Sequence, residues 1–261
     1  MRQQLAAPLG SIIKALRVLE TFSGGEPERG VTEISELLKI HKSSISRIIS
    51  TLAFAGFLEK NLLTGKYRLG FKLAALGSRV LGHYDLRDHA SPFMIDLAKR
   101  TKEIIHLSIL DQTDIVYLDK RGEGQTLTVS TKVGGRSPAH ACGMGKVLLS
   151  GLSQEDLQKF LASSPLAKLT PKTITEVPRL VKELERVRKS GFAIDDEESF
   201  LGIRCVAAPI YGKQGRIEGA LSITVPKQRM DQKRMEGLKS EVVETARAIS
   251  ERAQIGMGEG T

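Results

Sequence analysis

Residues 30 to 70, GVTEISELLKIHKSSISRIISTLAFAGFLEKNLLTGKYRLG, carry two helical periodicities separated by a short break and followed by a glycine-bounded hairpin pattern. No other stretch restricts the fold so tightly. Val31, Ile34, Leu37 and Leu38 recur at i, i+3, i+4 spacing, which predicts a helix over 32–38 with Thr32, Ser35 and Glu36 as polar start signals. After a break at 39–42, Ile45, Ile48, Ile49 and Leu52 fall on one face of a second helix, and Ser43, Ser46, Arg47 and Ser50 fall toward the other. That outward face is small, polar and cationic. The segments 56–60 and 67–69 then read as two strands around a turn, with Lys66 and Arg68 at its tip.

A turn-linked helix pair followed by a basic hairpin is a winged helix-turn-helix, and its natural partner is double-stranded DNA. Small hydroxyl residues let a helix sink into the major groove, and Lys42 and Arg47 have the chemistry to meet phosphates or the O6/N7 edge of guanine. The candidate DNA contacts are Lys42, Ser43, Ser44, Ser46, Arg47 and Ser50 on the helix and Lys66 and Arg68 on the wing. The bland alternative is an ordinary helical hairpin with solvated charges. Charge favours DNA: residues 1 to 72 hold 11 Lys/Arg against 6 Asp/Glu, a net of +5 within a chain total of +9.

Before this unit, Ile12, Ala15, Leu16 and Leu19 predict a helix capped by Ser11 and packed behind the recognition helix. After it, Phe71, Leu73, Leu76 and Val80 continue a helical pattern that fades near Gly82, which makes 73–85 a linker helix between a DNA-binding domain at 1–72 and a second domain at 86–261. In the second domain, helices are expected at 92–100, 143–149, 154–161, 178–190 and 232–253. Strands are expected at 104–110, 115–119, 127–132, 192–194, 206–211 and 216–225. Helices interleaved with antiparallel hairpins give an α+β class with a central antiparallel sheet. No apolar run approaches a membrane span and the start lacks a signal-peptide core, so a cytoplasmic protein without membrane contact is expected. The two cysteines, Cys142 and Cys205, are expected to be free thiols.

The phrase Pro138-Ala139-His140-Ala141-Cys142-Gly143-Met144-Gly145-Lys146 and the run from Gly191-Phe192-Ala193-Ile194-Asp195-Asp196-Glu197-Glu198 to Gly202-Ile203-Arg204-Cys205-Val206-Ala207-Ala208-Pro209-Ile210 carry a further signal. Together with the winged helix they resemble the IclR family of bacterial transcriptional regulators over nearly the whole chain. The resemblance implies a GAF-like C-terminal domain that binds a small organic acid. It places the effector contacts on Gly143, Met144, Asp195, Cys205, Ser222 and Thr224. Two of these placements have an independent physical basis. Helix-start amides around Cys142–Gly145 suit a carboxylate, and Ser222 and Thr224, two apart on a strand, share a face. The chain departs from the commoner family pattern at Met144, which is larger than usual, and at Thr224-Val225-Pro226, where Ser-Gly-Pro is more usual. A smaller or greasier pocket is expected.

Bland readings stand beside these. Ser222 and Thr224 read equally as hydroxyls on a solvent-facing strand, and Cys205 as a small core residue. In the acidic run, Asp195 is expected inside and Asp196, Glu197 and Glu198 outside, with Arg204 as their ion-pair partner. Enzymatic thiol-imidazole pairing of Cys142 or Cys205 with His140 or His106 has no orienting motif, so no catalysis and no cofactor are expected. A metal on His140, Cys142, Cys205 and Asp195 lacks a close ligand pair. One winged helix reads few base pairs, so a homodimer on a pseudo-palindromic operator is expected, with a homotetramer as a dimer of dimers. The rival to effector control is a DNA-binding protein whose C-terminal domain serves only oligomerisation or holds a metal.

Overall fold

A computed structural model describes residues 9–23, 25–82, 85–122 and 131–256. The chain divides into two compact units, Met1–His83 and Tyr84–Thr261.

The first unit contains α1 (Gly10–Glu20), α2 (Val31–Leu38), α3 (Lys42–Phe54), a hairpin of β1 (Leu58–Lys60) and β2 (Tyr67–Leu69), and α4 (Phe71–Leu81). Its core is Val18, Phe22, Ile34, Ile45, Ile49 and Leu58, all buried, so the apolar stripes of the two periodic helices face one another as the spacing predicts. The α2–α3 turn is set by Lys39, whose left-handed φ of 54° ends α2, and by Ser35, whose hydroxyl donates to the Ile40 carbonyl at 2.6 Å. The base of the hairpin needs glycine: a side chain on Gly70 would come 2.4 Å from the Gly56 carbonyl oxygen.

Two local expectations fail. Helix α1 begins at Gly10 with no side-chain cap, so Ser11 does not cap it. Ile12 and Leu16 are about half exposed, at 53% and 50%, whereas Val18 is fully buried. The C-terminal end of α1, continuing into Phe22, is the part that reaches the core. Helix α2 likewise takes its start from Gly30, whose N–H donates to the Glu33 carboxylate at 2.9 Å, rather than from Thr32.

The second unit opens with α5 (Asp85–Thr101), seven residues earlier than the expected start at Pro92. Asp85 and Asp88 in its first turn favour that start, and Pro92 is carried inside the helix. There follow β3 (Ile104–Asp111), β4 (Asp114–Arg121), β5 (Arg136–Pro138), α6 (Gly143–Ser150), α7 (Gln154–Ser163), α8 (Val177–Ser190), β6 (Ala193–Asp196), β7 (Ile203–Tyr211), β8 (Ile217–Pro226) and α9 (Gln232–Gly256). Most of the strand expected at 127–132 lies outside the described residues. Thr131 and Lys132 are not in a strand, and the short edge strand β5 was not expected.

The six strands form one antiparallel sheet in the order β5-β4-β3-β8-β7-β6. Helices α5 and α9 pack on the face of Ile105, Leu107, Val206, Ala208, Leu221 and Ile223. Helix α6 covers the other face, where Ala193, Ala207, Ala220 and Ser222 leave room for it. Glycine sets the turn into α6: a side chain on Gly145 would sit 2.0 Å from the Ala139 carbonyl oxygen, whereas one on Gly143 would make only ordinary contact with Ala207 at 3.5 Å. Among the described residues no helix is long and apolar enough to cross a membrane.

Candidate functional site

On α3, the serines at 43, 46 and 50 lie exposed with Lys42 and Arg47, while Ser44 is half-buried beside the core stripe. His41 caps the helix by accepting the Ser43 N–H on Nδ1. Neither Lys42 nor Arg47 has an ion-pair partner among the described residues, so both charges face water.

The wing differs from the expectation. Its turn is closed by the Asn61 N–H donating to the Lys66 carbonyl at 2.8 Å and the Gly65 N–H donating to the Asn61 carbonyl at 2.9 Å. The tip is therefore Leu62 and Leu63, exposed at 90% and 97%. Lys66 and Arg68 are not at the tip. Lys66 Nζ lies 2.7 Å from Glu33 Oε1, which raises the lysine pKa, and Arg68 donates to Glu59 Oε2 at 3.1 Å. Register explains the second pair: Glu59 lies opposite Arg68, and facing opposite charges on an antiparallel pair attract. The equal distance of Glu59 and Arg68 from the turn was the available signal.

In the second unit, strand register assembles the effector candidates. Across the sheet, Asp195 pairs with Cys205, Cys205 with Thr224, and Ser222 with both Ala207 and His106. Ser222 is fully buried, and its hydroxyl has no hydrogen-bond partner among the described residues. The solvent-facing reading of Ser222 is thereby overturned. Thr224 Oγ1 lies 3.2 Å from His106 Nδ1, and Thr131 Oγ1 lies 2.7 Å from His106 Nε2. Above this face, Cys142 caps α6, its sulfur accepting the Gly145 N–H at 3.3 Å, and Met144 Sδ accepts the Ser108 hydroxyl at 3.2 Å. The amides of Gly143 and Met144 precede the first bond of the helix, from the Lys146 N–H to the Cys142 carbonyl.

Asp195 is buried, as expected, but its oxygens are occupied by its own chain. Oδ1 accepts the Glu198 N–H at 2.7 Å and the Ser199 N–H at 3.4 Å, and Oδ2 accepts the Ser199 hydroxyl at 2.9 Å and the Cys205 thiol. Burial raises its pKa, against the Glu198 N–H and the Lys146 charge, which lower it. Asp195 thus braces the loop after β6.

The rest of the acidic run corrects the sequence reading. Glu197 and Glu198 are buried and Asp196 is only half-exposed, because cations reach all three. Lys172 and Lys227 hold Glu197 down at about 2, Lys146 Nζ meets Glu198 at 2.6 Å, and Arg204 with Lys172 pairs Asp196. Lys146, 1% exposed, also donates to the Ile194 carbonyl at 2.6 Å.

Burial sets the protonation of the site. It pushes the Cys142 thiol up to about 12 and the Cys205 thiol well above its ordinary value, and it raises the Tyr117 phenol. It lowers His106 to about 3, with Lys120 adding repulsion. The ring of His106, 5.2 Å from that of Tyr117, is therefore neutral at pH 7. No hydrogen bond joins either thiol to an imidazole among the described residues, and His140 Nε2 turns instead to the Ala167 carbonyl at 3.0 Å. Among the described residues no group of three or more His, Cys, Asp or Glu could hold a metal. The site offers neutral donors and acceptors over small walls.

In the sequence His106 reads only as a possible thiol partner, and nothing local points to Ser108, Tyr117 or Thr131. The β3–β8 pairing that brings His106 and Ser108 beside Ser222 joins residues more than a hundred apart, Tyr117 follows on β4 opposite Ser108, and Thr131 is reached through His106.

Acid stability follows from His106. Its folded pKa lies below the ordinary 6.5, so its contribution is present above pH 6.5 and is lost as pH falls toward about 3. The unfolding free energy should fall by about 1.4 kcal/mol per pH unit from this group in that window. Urea titrations of His106→Asn should show that slope removed; an unchanged slope would refute the burial of a neutral imidazole.

The comparisons agree with this architecture. Residues 11–62 match the profile described as the IclR helix-turn-helix domain, and residues 78–251 that of the bacterial transcriptional regulator IclR C-terminal domain. The chain is 33% identical over 241 residues to the HTH-type transcriptional regulator XynR of Escherichia coli, covering 92% of this chain and 95% of that one. It is also 33% identical over 248 residues to the KdgR regulator of the same organism, covering 95% and 93%. Among solved structures, the Thermotoga maritima IclR superposes with a TM-score of 0.76 at 30% identity, covering 93% of this chain and 98% of that one. An IclR homolog from Microbacterium hydrocarbonoxydans, complexed with 4-hydroxybenzoate, gives 0.80 at 25% identity, covering 94% and 99%.

Proposed function

Since the chain belongs to the IclR family of bacterial transcriptional regulators, with a helix-turn-helix domain and an IclR effector domain, we propose that its affinity for a specific operator is set by a small organic acid bound between the sheet and α6. The buried, unpartnered Ser222 hydroxyl carries this reading, because an orphaned polar group in a packed interior costs free energy that a ligand or water must offset. A ligand there would be held by Ser222, Thr224 and the amides of Gly143 and Met144, with His106 orienting the Thr224 hydroxyl. The acid's charge would meet helix-start amides, since Lys146 is committed to Glu198. The relative complexed with 4-hydroxybenzoate supports an aromatic or similarly small acid as a first class to test. Met144 and Cys205 form apolar wall, and Asp195 acts on the ligand through the loop it braces.

Linkage supplies the mechanism. An effector that binds DNA-competent and DNA-incompetent arrangements unequally changes operator affinity by the ratio of its two affinities. DNA is read by α3 through Arg47 and Lys42, in a homodimer matched to two half-sites. Exposed Ile12 and Leu16 on α1 and Phe71 and Val80 on α4 support self-association, which extends to a homotetramer.

The test is thermal unfolding with a panel of α-keto, sugar and aromatic acids, followed by operator binding with each hit. A ligand at about 100 times its Kd should stabilise by about 2.7 kcal/mol. That gain and the change in operator affinity should both vanish in Ser222→Val, which fills the site without touching DNA. Operator affinity that no acid alters, in a chain that no acid stabilises, would favour the rival in which the second unit serves only assembly.

A further inference from the structure

A second concave region lies away from the effector candidates and shares none of their residues. It is a cleft of about 940 Å³ at the end of α5, lined by Lys99, Thr101 and Lys102, by Glu103 and Arg121 at the strand ends, and by Arg229 and Arg234 before and within α9. Five cations and one carboxylate line it.

The arrangement is built rather than merely solvated. Glu103, 5% exposed, accepts Arg229 Nη2 at 2.6 Å. Arg234 Nη2 donates to the Thr101 carbonyl at 2.7 Å, which covers part of the negative end of α5. Arg121 Nη2 meets Asp119 Oδ2 at 2.8 Å and the Ser91 hydroxyl at 3.1 Å, while its buried Nε has no partner among the described residues. Each guanidinium is therefore fixed by one edge. Lys99 and Lys102 have no partner among the described residues. Close approach also matters here: a side chain on Gly122, at φ 89°, would sit 2.4 Å from the Glu103 backbone carbonyl oxygen.

The acids facing these groups are Glu103, Asp119 on Arg121, and Asp231, which accepts the Arg234 N–H at 2.7 Å. Asp119 is shared with Arg87 at 4.0 Å, so the five lining cations outnumber the acids that face them and the cleft is positive. A concave site of this size suits a small ligand, and fixed guanidinium forks match the paired oxygens of phosphate or carboxylate. We propose that this cleft is a second ligand site, for a small multivalent oxyanion of the phosphate-ester or polycarboxylate kind.

The test is calorimetric titration of the full chain with pyrophosphate and, separately, citrate, each against sodium chloride of equal ionic strength. The probe variant is Lys99→Gln with Lys102→Asn, since both lysines are exposed and asparagine accepts the left-handed φ of 60° at position 102. Binding of either anion should weaken by about tenfold or more in this variant and should be unchanged in Ser222→Val. Preference for pyrophosphate would assign phosphate esters, and preference for citrate polycarboxylates. Equal affinity in the parent and the double variant would overturn the proposal, as would heat no larger than that of sodium chloride. A double variant that loses affinity for unrelated duplex DNA while pyrophosphate fails to bind would make the cleft a DNA-backbone surface instead.

Discussion

Replacing Lys146 by methionine should lower the unfolding free energy of the second unit by about 3–5 kcal/mol, the range for removing one partner of a buried ion pair. The ammonium is 1% exposed and donates to both Glu198 Oε1 and the Ile194 carbonyl at 2.6 Å. Without it, Glu198 keeps a buried charge whose second oxygen already lacks a partner, and burial already raises the Glu198 pKa. At about 2–4 °C per kcal/mol for a domain of this size, the midpoint should drop by roughly 10 °C. Adding Glu198→Gln should recover part of the loss, because the unpaired charge is its main cause. Chemical denaturation of the two variants decides the matter. An unfolding free energy of Lys146→Met equal to that of the parent would mean that the ammonium is not buried against Glu198. The pair ties α6 to β6 and to the loop after it, so its removal should also loosen the helix start that faces Ser222.

The second large effect is expected on DNA. Arg47 sits in the middle of the exposed face of α3, flanked by Ser43 and Ser50 one turn away on either side, with no carboxylate paired to it among the described residues. Arg47→Ala should weaken binding to an operator selected from random duplexes by about 1–3 kcal/mol, roughly ten- to a hundredfold. If the contact is to a guanine edge, discrimination at one base pair should relax. If it is to phosphate, all sequences should weaken together and the salt slope should fall by about one. Arg68→Ala should cost less, since Glu59 already holds that guanidinium. Equal affinity for parent and Arg47→Ala would remove α3 from the reading of DNA.

Much of the fold was legible because it rests on local periodicity. The helix pair over 31–54 and the long amphipathic α8, stopped by Gly191 at φ 74°, follow from apolar spacing and chain-ending residues alone. The turn at 212–215 and strands β7 and β8 are equally local. Boundaries were less legible. Pro92 read as a helix start, yet α5 runs through it, and the apolar stripe of α1 turned out to bury only its last turn.

For the candidate site, the family resemblance implied Gly143, Met144, Asp195, Cys205, Ser222 and Thr224, and three paired strands with the start of α6 bring them to one region. Composition, the paired helices and the family phrases are properties of short segments, so the chain alone sufficed to expect a winged helix joined to an α+β domain. The fate of its charges and hydroxyls was decided elsewhere. Whether Lys66 reaches the wing tip or Glu33, whether Glu197 and Glu198 lie in water or against lysines, and which ring meets Thr224 depend on groups distant in sequence. Attraction between charges and the satisfaction of buried polar atoms act through space. Only the tertiary arrangement fixes which partners come within a few ångströms.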